Sequence, residues 1–226
     1  MIDKIVGSVA SALEGIADGA TVLVGGFGAV GQPDVLIEGL IEQGARDLTI
    51  VANNAGAGRV GLAKLLDAGR VRKIICSFPR SAGSVVFEEL FKAGRLELEI
   101  VPQGTLAERI RAAGAGVGAF YTPTSYGTKL SDKKETREIG GRHQVLEYAL
   151  PGDVALVEAW EADRWGNCTF RKSGRNFNPV MATAAALTVV QAQHIVPLGS
   201  LDPEVIVTPG IFVNRVVHVP YGDPRG

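Results

Sequence analysis

The sequence predicts an open α/β fold, a mostly parallel sheet with helices on both faces and a polar hairpin inserted after it. Three observations predict it. Short apolar runs rich in β-branched residues alternate with longer segments whose apolar residues recur at i, i+3 and i+4. Glycines fall at the corners between them rather than in a repeat. The strand–helix unit recurs four times in succession, the pattern of right-handed crossovers feeding a parallel sheet.

Taken in order, Ile5, Val9, Leu13 and Ile16 recur at helical spacing and predict a helix packed on the domain. Glu14 and Asp18 interrupt that stretch, so it does not read as a secretory signal. Buried strands are predicted at TVLVGG (21–26), LTIVAN (48–53), KIICSF (73–78) and LEIVPQ (98–103). Helices are predicted at residues 33–43, 59–69, 84–94 and 105–114, with Gly44, Gly69 and Gly94 at three C-terminal ends that favour positive φ. Beyond residue 115, GAFYTPTSYGT (118–128) is turn-rich, and residues 131–150 read as a polar hairpin turning at Gly140-Gly141. VALVEAW (154–160) and CTFRKS (168–173) read as strands joined at Gly166-Asn167. NPVMATAAALTVVQAQ (178–193) reads as a strong helix with Pro179 in its first turn. HIVPLG and VIVTPG close the chain. No linker is evident, so residues 1–226 are expected to form one domain.

Composition narrows the function. The net charge is −1 with no basic stripe, which argues against nucleic acid as a partner. No run of 18 apolar residues exists to span a membrane, so a soluble protein is expected. Cys76 and Cys168 have neither metal spacing nor a disulfide framework, which fits a reducing cytoplasm. Apolar Ile74 and Ile75 beside Cys76 read it as a buried structural thiol. His143, His194 and His218 are scattered, and no metal is predicted. P-loop and G-x-S-x-G motifs are missing. Gly26-x-Gly28-x-x-Gly31 mimics a dinucleotide fingerprint, but Gly56-x-Gly58-x-x-Gly61 matches too, and the second strand ends in Asn53-Asn54 where an acid would hold a ribose.

In such a sheet, ligands bind beyond the carboxyl ends of the strands. Those ends carry GGFGAVG (25–31), NNAGAG (53–58), SFPRS (77–81) and PQGT (102–105), placing Asn53, Asn54, Arg80 and Gln103 on one rim. Helix N-termini after Gly31 and Gly104 are expected to offer N–H groups to an anion. No carboxylate occupies a glycine-flanked turn at a strand end; Glu158 lies inside a strand and Glu108 in a helix. The rim therefore reads as half of an active site.

The segment Asp18–Pro33 (DGATVLVGGFGAVGQP) resembles the signature of the α subunit of family I (3-oxoacid) CoA-transferases. So do NNAG (53–56), residues 101–124, ADRWGN (162–167), RNFNPVMA (175–182) and LDPEVIVTPGIFV (201–213), in family order. The resemblance implies ping-pong CoA transfer through a glutamyl thioester. It places that glutamate on a partner β subunit, with no catalytic nucleophile in this chain, and implies an α2β2 assembly. It also implies a CoA thioester as substrate, with no permanently bound cofactor. Asn53 and Gln103 are implied to contact the substrate carboxylate and reacting acyl group, with Gly25, Gly26 and Phe27 as nearby backbone. Residues 76–99 and 134–142 resemble transferases that act on 3-oxoadipate with succinyl-CoA, acetoacetate being the second choice of acid. Arg80 is the expected reader of a distal carboxylate. The same fold also serves sugar-phosphate isomerases and effector-sensing domains. A sensor needs an appended DNA-binding segment, for which this chain has no room, and an isomerase its own base. Departures are Ser125 in place of a usual glycine, Glu158 and Glu161 in place of lysines, and Gly174 in place of an alanine.

Overall fold

The computed structural model describes residues 2–80 and 83–220. The chain runs β1 (Ile5–Val6), α1 (Val9–Ala12), β2 (Thr21–Val24), α2 (Asp34–Gln43), β3 (Leu48–Val51), α3 (Leu62–Asp67), β4 (Val71–Cys76), α4 (Val85–Lys92), β5 (Glu97–Ile100) and α5 (Gln103–Gly114). It continues through β6 (Ala119–Thr122), β7 (Thr136–Ile139), β8 (Arg142–Tyr148), β9 (Gly152–Ala162), β10 (Cys168–Thr169), α6 (Asn178–Ala182), β11 (Ala185–Ile195) and β12 (Arg215–His218).

Eight strands form one parallel path, β1-β12-β11-β9-β2-β3-β4-β5, and β10 adds a short antiparallel pair to β9. Alternation within the strands sorts side chains to two apolar layers. Val22, Val24, Ile50 and Ile74 meet α2, α3 and α4 on one face, whereas Leu23, Val51 and Ile75 meet α5 and α6 on the other. Both faces are covered, which is why these strands read as continuous apolar runs. Gly44 closes α2 in the left-handed region, and Gly69 and Gly94 follow α3 and α4 with positive φ, as the sequence led us to expect. The polar hairpin is also as expected. β7 and β8 turn at Gly140 (φ 59°) and Gly141 (φ 72°), and β6 completes a separate three-stranded sheet.

Four expectations need correction. The helix read over residues 178–193 stops at Ala182, and the rest is β11, paired with β9 from Ala185↔Gly152 to Ile195↔Ala162. Its alanines favour a helix, yet Val189 packs into one apolar layer and Val190 and Ala192 into the other; burial on both faces of a sheet overrides that local preference. The N-terminal helix is only α1, capped by Ser8, whose Oγ accepts from Ser11 N at 3.1 Å; Ile5 and Val6 instead pair with β12. In the turn-rich stretch, residues 119–122 form a strand. CTFRKS keeps strand only at its first two residues and then winds into a 3-10 turn at Lys172–Arg175.

Candidate active site

From β2 the chain steps outward through β3, β4 and β5, while β9, β11 and β12 fill the opposite side. The reversal between β2 and β9 is the switch point at which such sheets bind ligands. There the loop after β2, residues 25–31, folds over the strand tips, its Phe27 and Val30 exchanging backbone hydrogen bonds of 3.0 and 3.2 Å.

Two asparagines clamp that loop from below. Asn176 Oδ1 accepts from Gly26 N at 3.0 Å, and its Nδ2 donates to Val30 O at 2.9 Å. Asn178, fully buried, donates to Gly31 O and Gly174 O, both at 2.9 Å, and accepts from Glu158 N at 3.0 Å. No side chain fits at Gly25, where a Cβ would fall 1.8 Å from Asn178 Oδ1. Gln32 fastens the loop to α3: its Oε1 accepts from Leu62 N at 3.0 Å and its Nε2 reaches Gly28 O at 3.4 Å.

Beside the loop lies a cavity of about 570 Å³. Phe27, Val60 and Phe78, all exposed, form its apolar walls; Asn53, Asn54, Ser77 and Gln103 supply most of its polar groups. Asn53, at the tip of β3, is 4% exposed and its Oδ1 accepts from Gln103 Nε2 at 2.7 Å. Asn54 spends its Oδ1 on Gly56 N at 2.8 Å. The N–H groups of Gly28 and Ala29, at the loop's tip, make no hydrogen bond among the described residues, whereas those of Gly25, Gly26 and Phe27 are engaged by Leu156 O, Asn176 Oδ1 and Val30 O. The arrangement can therefore offer several neutral donors to an oxyanion or a carbonyl oxygen. Among the described residues lining it there is no acid, base or thiol.

The structure brings Asn53, Gln103 and Phe27 together on this cavity. Gly25 and Gly26 lie beneath the loop instead of in the cavity wall, and the free backbone donors sit two residues later. Arg80 is not part of the wall; its Nε pairs with Glu88 Oε1 at 2.8 Å on the surface. Ser81, in the expected 77–81 corner, lies outside the described residues. The helix expected after Gly31 starts only at Asp34, and the one expected after Gly104 starts at Gln103 itself. Glu158 faces a different cavity of about 350 Å³, with Arg171 and Lys172, across the 25–31 loop. Cys76 is buried, and that burial pushes its thiol up to about 12, which removes it as a nucleophile at neutral pH. No cluster of three His, Cys, Asp or Glu able to hold a metal occurs among the described residues.

A cavity of neutral donors at the switch point, with no nucleophile of its own, is the geometry of a site that works on an acyl group presented to it. The coenzyme A transferase family model matches residues 6–219. The chain belongs to the coenzyme A transferase family. Among curated family members, the α subunit of the 3-oxoadipate CoA-transferase of Pseudomonas putida is 62% identical over 97% of this chain and 95% of its own length. The α subunit of the succinyl-CoA:3-ketoacid coenzyme A transferase of Xanthomonas campestris is 50% identical, covering 92% and 85%. Among solved family structures, an acyl-CoA transferase of Escherichia coli O157:H7, a thioester complex with CoA, shares the fold at a TM-score of 0.85 and 22% identity. That match covers 98% of this chain and 50% of the other, so the chain spans about half the length of that transferase.

The sequence reading gave no role to Asn176, Asn178, Gln32 or Ser77, although each lies in a stretch it quoted. Each acts through a partner distant in the chain, Asn176 and Asn178 about 150 residues from the loop they hold, so no local pattern marks them.

Proposed function

We propose that the chain is the α subunit of a heteromeric transferase that moves CoA from succinyl-CoA to 3-oxoadipate, and that residues 1–226 act as one domain. The observation that carries this reading is the donor-lined cavity without a nucleophile in a chain so similar to the α subunit of a 3-oxoadipate CoA-transferase. The partner β subunit supplies the nucleophilic glutamate, in an α2β2 assembly that works in the cytoplasm. Among the described residues no helix is long and apolar enough to cross a membrane.

The glutamate carboxylate attacks the thioester carbonyl of succinyl-CoA; the C–S bond breaks, giving an acyl anhydride and CoA thiolate. The thiolate attacks the glutamyl carbonyl and releases succinate, leaving a glutamyl-CoA thioester. The carboxylate of 3-oxoadipate repeats the two steps in reverse and departs as its CoA ester. Every step passes through a tetrahedral oxyanion, and Asn53 Nδ2 with the N–H groups of Gly28 and Ala29 are its donors. Gln103 orients Asn53 and faces the acid. The clamp from Asn176 and Asn178 keeps the loop rigid, so donor placement costs no reorganisation during reaction.

A second acid has one observation in its favour. No cation lines the cavity among the described residues, which suits acetoacetate, an acid with no distal carboxylate. For Arg80 to read the distal carboxylate of 3-oxoadipate it must leave Glu88. Co-expression with its β subunit and parallel assay of both acids against succinyl-CoA decides: higher kcat/KM for 3-oxoadipate, with KM for that acid alone raised in Arg80→Ala, supports the first reading. Preference for acetoacetate supports the second, and transfer by this chain alone overturns both.

A further inference from the structure

A buried carboxamide can sit in either of two orientations that exchange its oxygen and nitrogen, and only hydrogen bonding decides between them. For Asn53 the choice matters, because the end that faces the cavity is either a double donor or an acceptor. Gln103 cannot make the choice. It is itself an amide, and if both side chains turned over, Asn53 Nδ2 would donate to Gln103 Oε1 and the pair would be equally satisfied.

Ser77 breaks that symmetry. It follows β4, and an isolated parallel bridge between Asn54 and Phe78 sets it beside Asn53. Its Oγ lies 2.8 Å from Asn53 Oδ1 and 3.0 Å from Asn53 O. That backbone oxygen already accepts from Ser77 N at 3.2 Å and Phe78 N at 3.1 Å, which use its two lone pairs. The hydroxyl proton is left with Oδ1 as its open acceptor, and it takes the shorter of the two contacts. Turned over, the amide would point an N–H at the hydroxyl, and the Ser77 proton would have only a saturated carbonyl to meet.

We propose that Ser77 is a positioning residue that sets the polarity of the cavity. By saturating Oδ1 together with Gln103, it fixes Asn53 Nδ2 toward the ligand, where that nitrogen makes no hydrogen bond among the described residues. The inference rests on the CoA-transferase reading of this cavity and adds a rule of selection. The site takes groups that only accept, namely a carboxylate, a thioester carbonyl or an oxyanion, and turns away groups that donate, such as a primary amide.

The test uses the complex assembled with the β subunit and compares wild type, Ser77→Ala and Ser77→Thr, each checked for an unchanged melting temperature. Butyrate and butyramide serve as competitive inhibitors, two probes of one shape that differ in whether their head group donates. In Ser77→Ala the butyramide-to-butyrate ratio of inhibition constants falls about tenfold and kcat falls about tenfold, the size of one net hydrogen bond to the orientation of an amide. KM for succinyl-CoA changes little. Ser77→Thr keeps the hydroxyl, and with it the ratio and the rate. A wild-type ratio and rate in Ser77→Ala overturn the inference, and so does loss of both in Ser77→Thr. A wild-type complex that moves no CoA defeats the transferase reading itself, before any variant is compared.

Discussion

Asn178→Ala tests whether the clamp beneath the 25–31 loop is a structural necessity. Asn178 is fully buried and serves three backbone groups: it donates to Gly31 O and Gly174 O and accepts from Glu158 N, all within 3.0 Å. Truncation strands all three in a site closed to water. An unsatisfied buried partner costs about 1–3 kcal/mol, and partial relaxation holds the total at about 3 kcal/mol. For a chain of this size that is a fall in Tm of roughly 6–12 °C. Asn178→Asp is no rescue, because a carboxylate accepts from Glu158 N but faces two carbonyl oxygens as a second acceptor. Gly25 completes the argument. A Cβ there would lie 1.8 Å from Asn178 Oδ1, so Gly25→Ala is severe alone and milder in the Asn178→Ala background. Differential scanning calorimetry on the two single variants and the double reads that coupling directly. A Tm drop under about 2 °C for Asn178→Ala, or strict additivity with Gly25→Ala, would refute the clamp.

Four more outcomes are expected. Asn53→Ala in the assembled enzyme lowers kcat by about 100- to 1000-fold with little change in Tm, as for loss of one oxyanion donor; kinetics equal to wild type would exclude the role. Ser125, held at φ 71°, occupies a backbone region that disfavours any side chain, so Ser125→Gly raises stability by about 1 kcal/mol, read as a higher Tm. Cys76, its thiol pushed to about 12, resists iodoacetamide at pH 8 in the folded protein and reacts once denatured. Burial raises Glu99, but hydrogen bonds from Lys73 at 2.6 Å and Arg109 at 3.0 Å outweigh it and hold the carboxyl below its ordinary value. Its contribution to stability is thus present above the unfolded-state pKa and lost as pH falls through the lower folded one. Melting curves taken from pH 6 down to pH 3 show this as a steeper decline in wild type than in Glu99→Gln.

What the sequence reveals here depends on how far apart interacting residues lie. Between residues 21 and 114, each strand is followed by its own crossover helix, so the alternation of apolar patterns reports the fold locally. The glycines past α2, α3 and α4 are legible for the same reason, since a helix end is decided within a few residues. β11 is the counterexample. Its alanines read as helix until β9 and β12 bury it from both sides, and both neighbours are separated from it in sequence. The site divides along the same line. Asn53 and Gln103 are legible because each stands at a strand tip, where the topology alone delivers it to the crevice. Ser125 is legible as a departure from a resembled pattern, and its positive φ gives that departure a physical cost. The orientation of Asn53, by contrast, is decided by a serine 24 residues away and a glutamine 50 residues away. The loop it faces is held by asparagines about 150 residues distant. A strand tip can be read from pattern, but the direction in which a donor points is a property of contacts that only the folded chain makes.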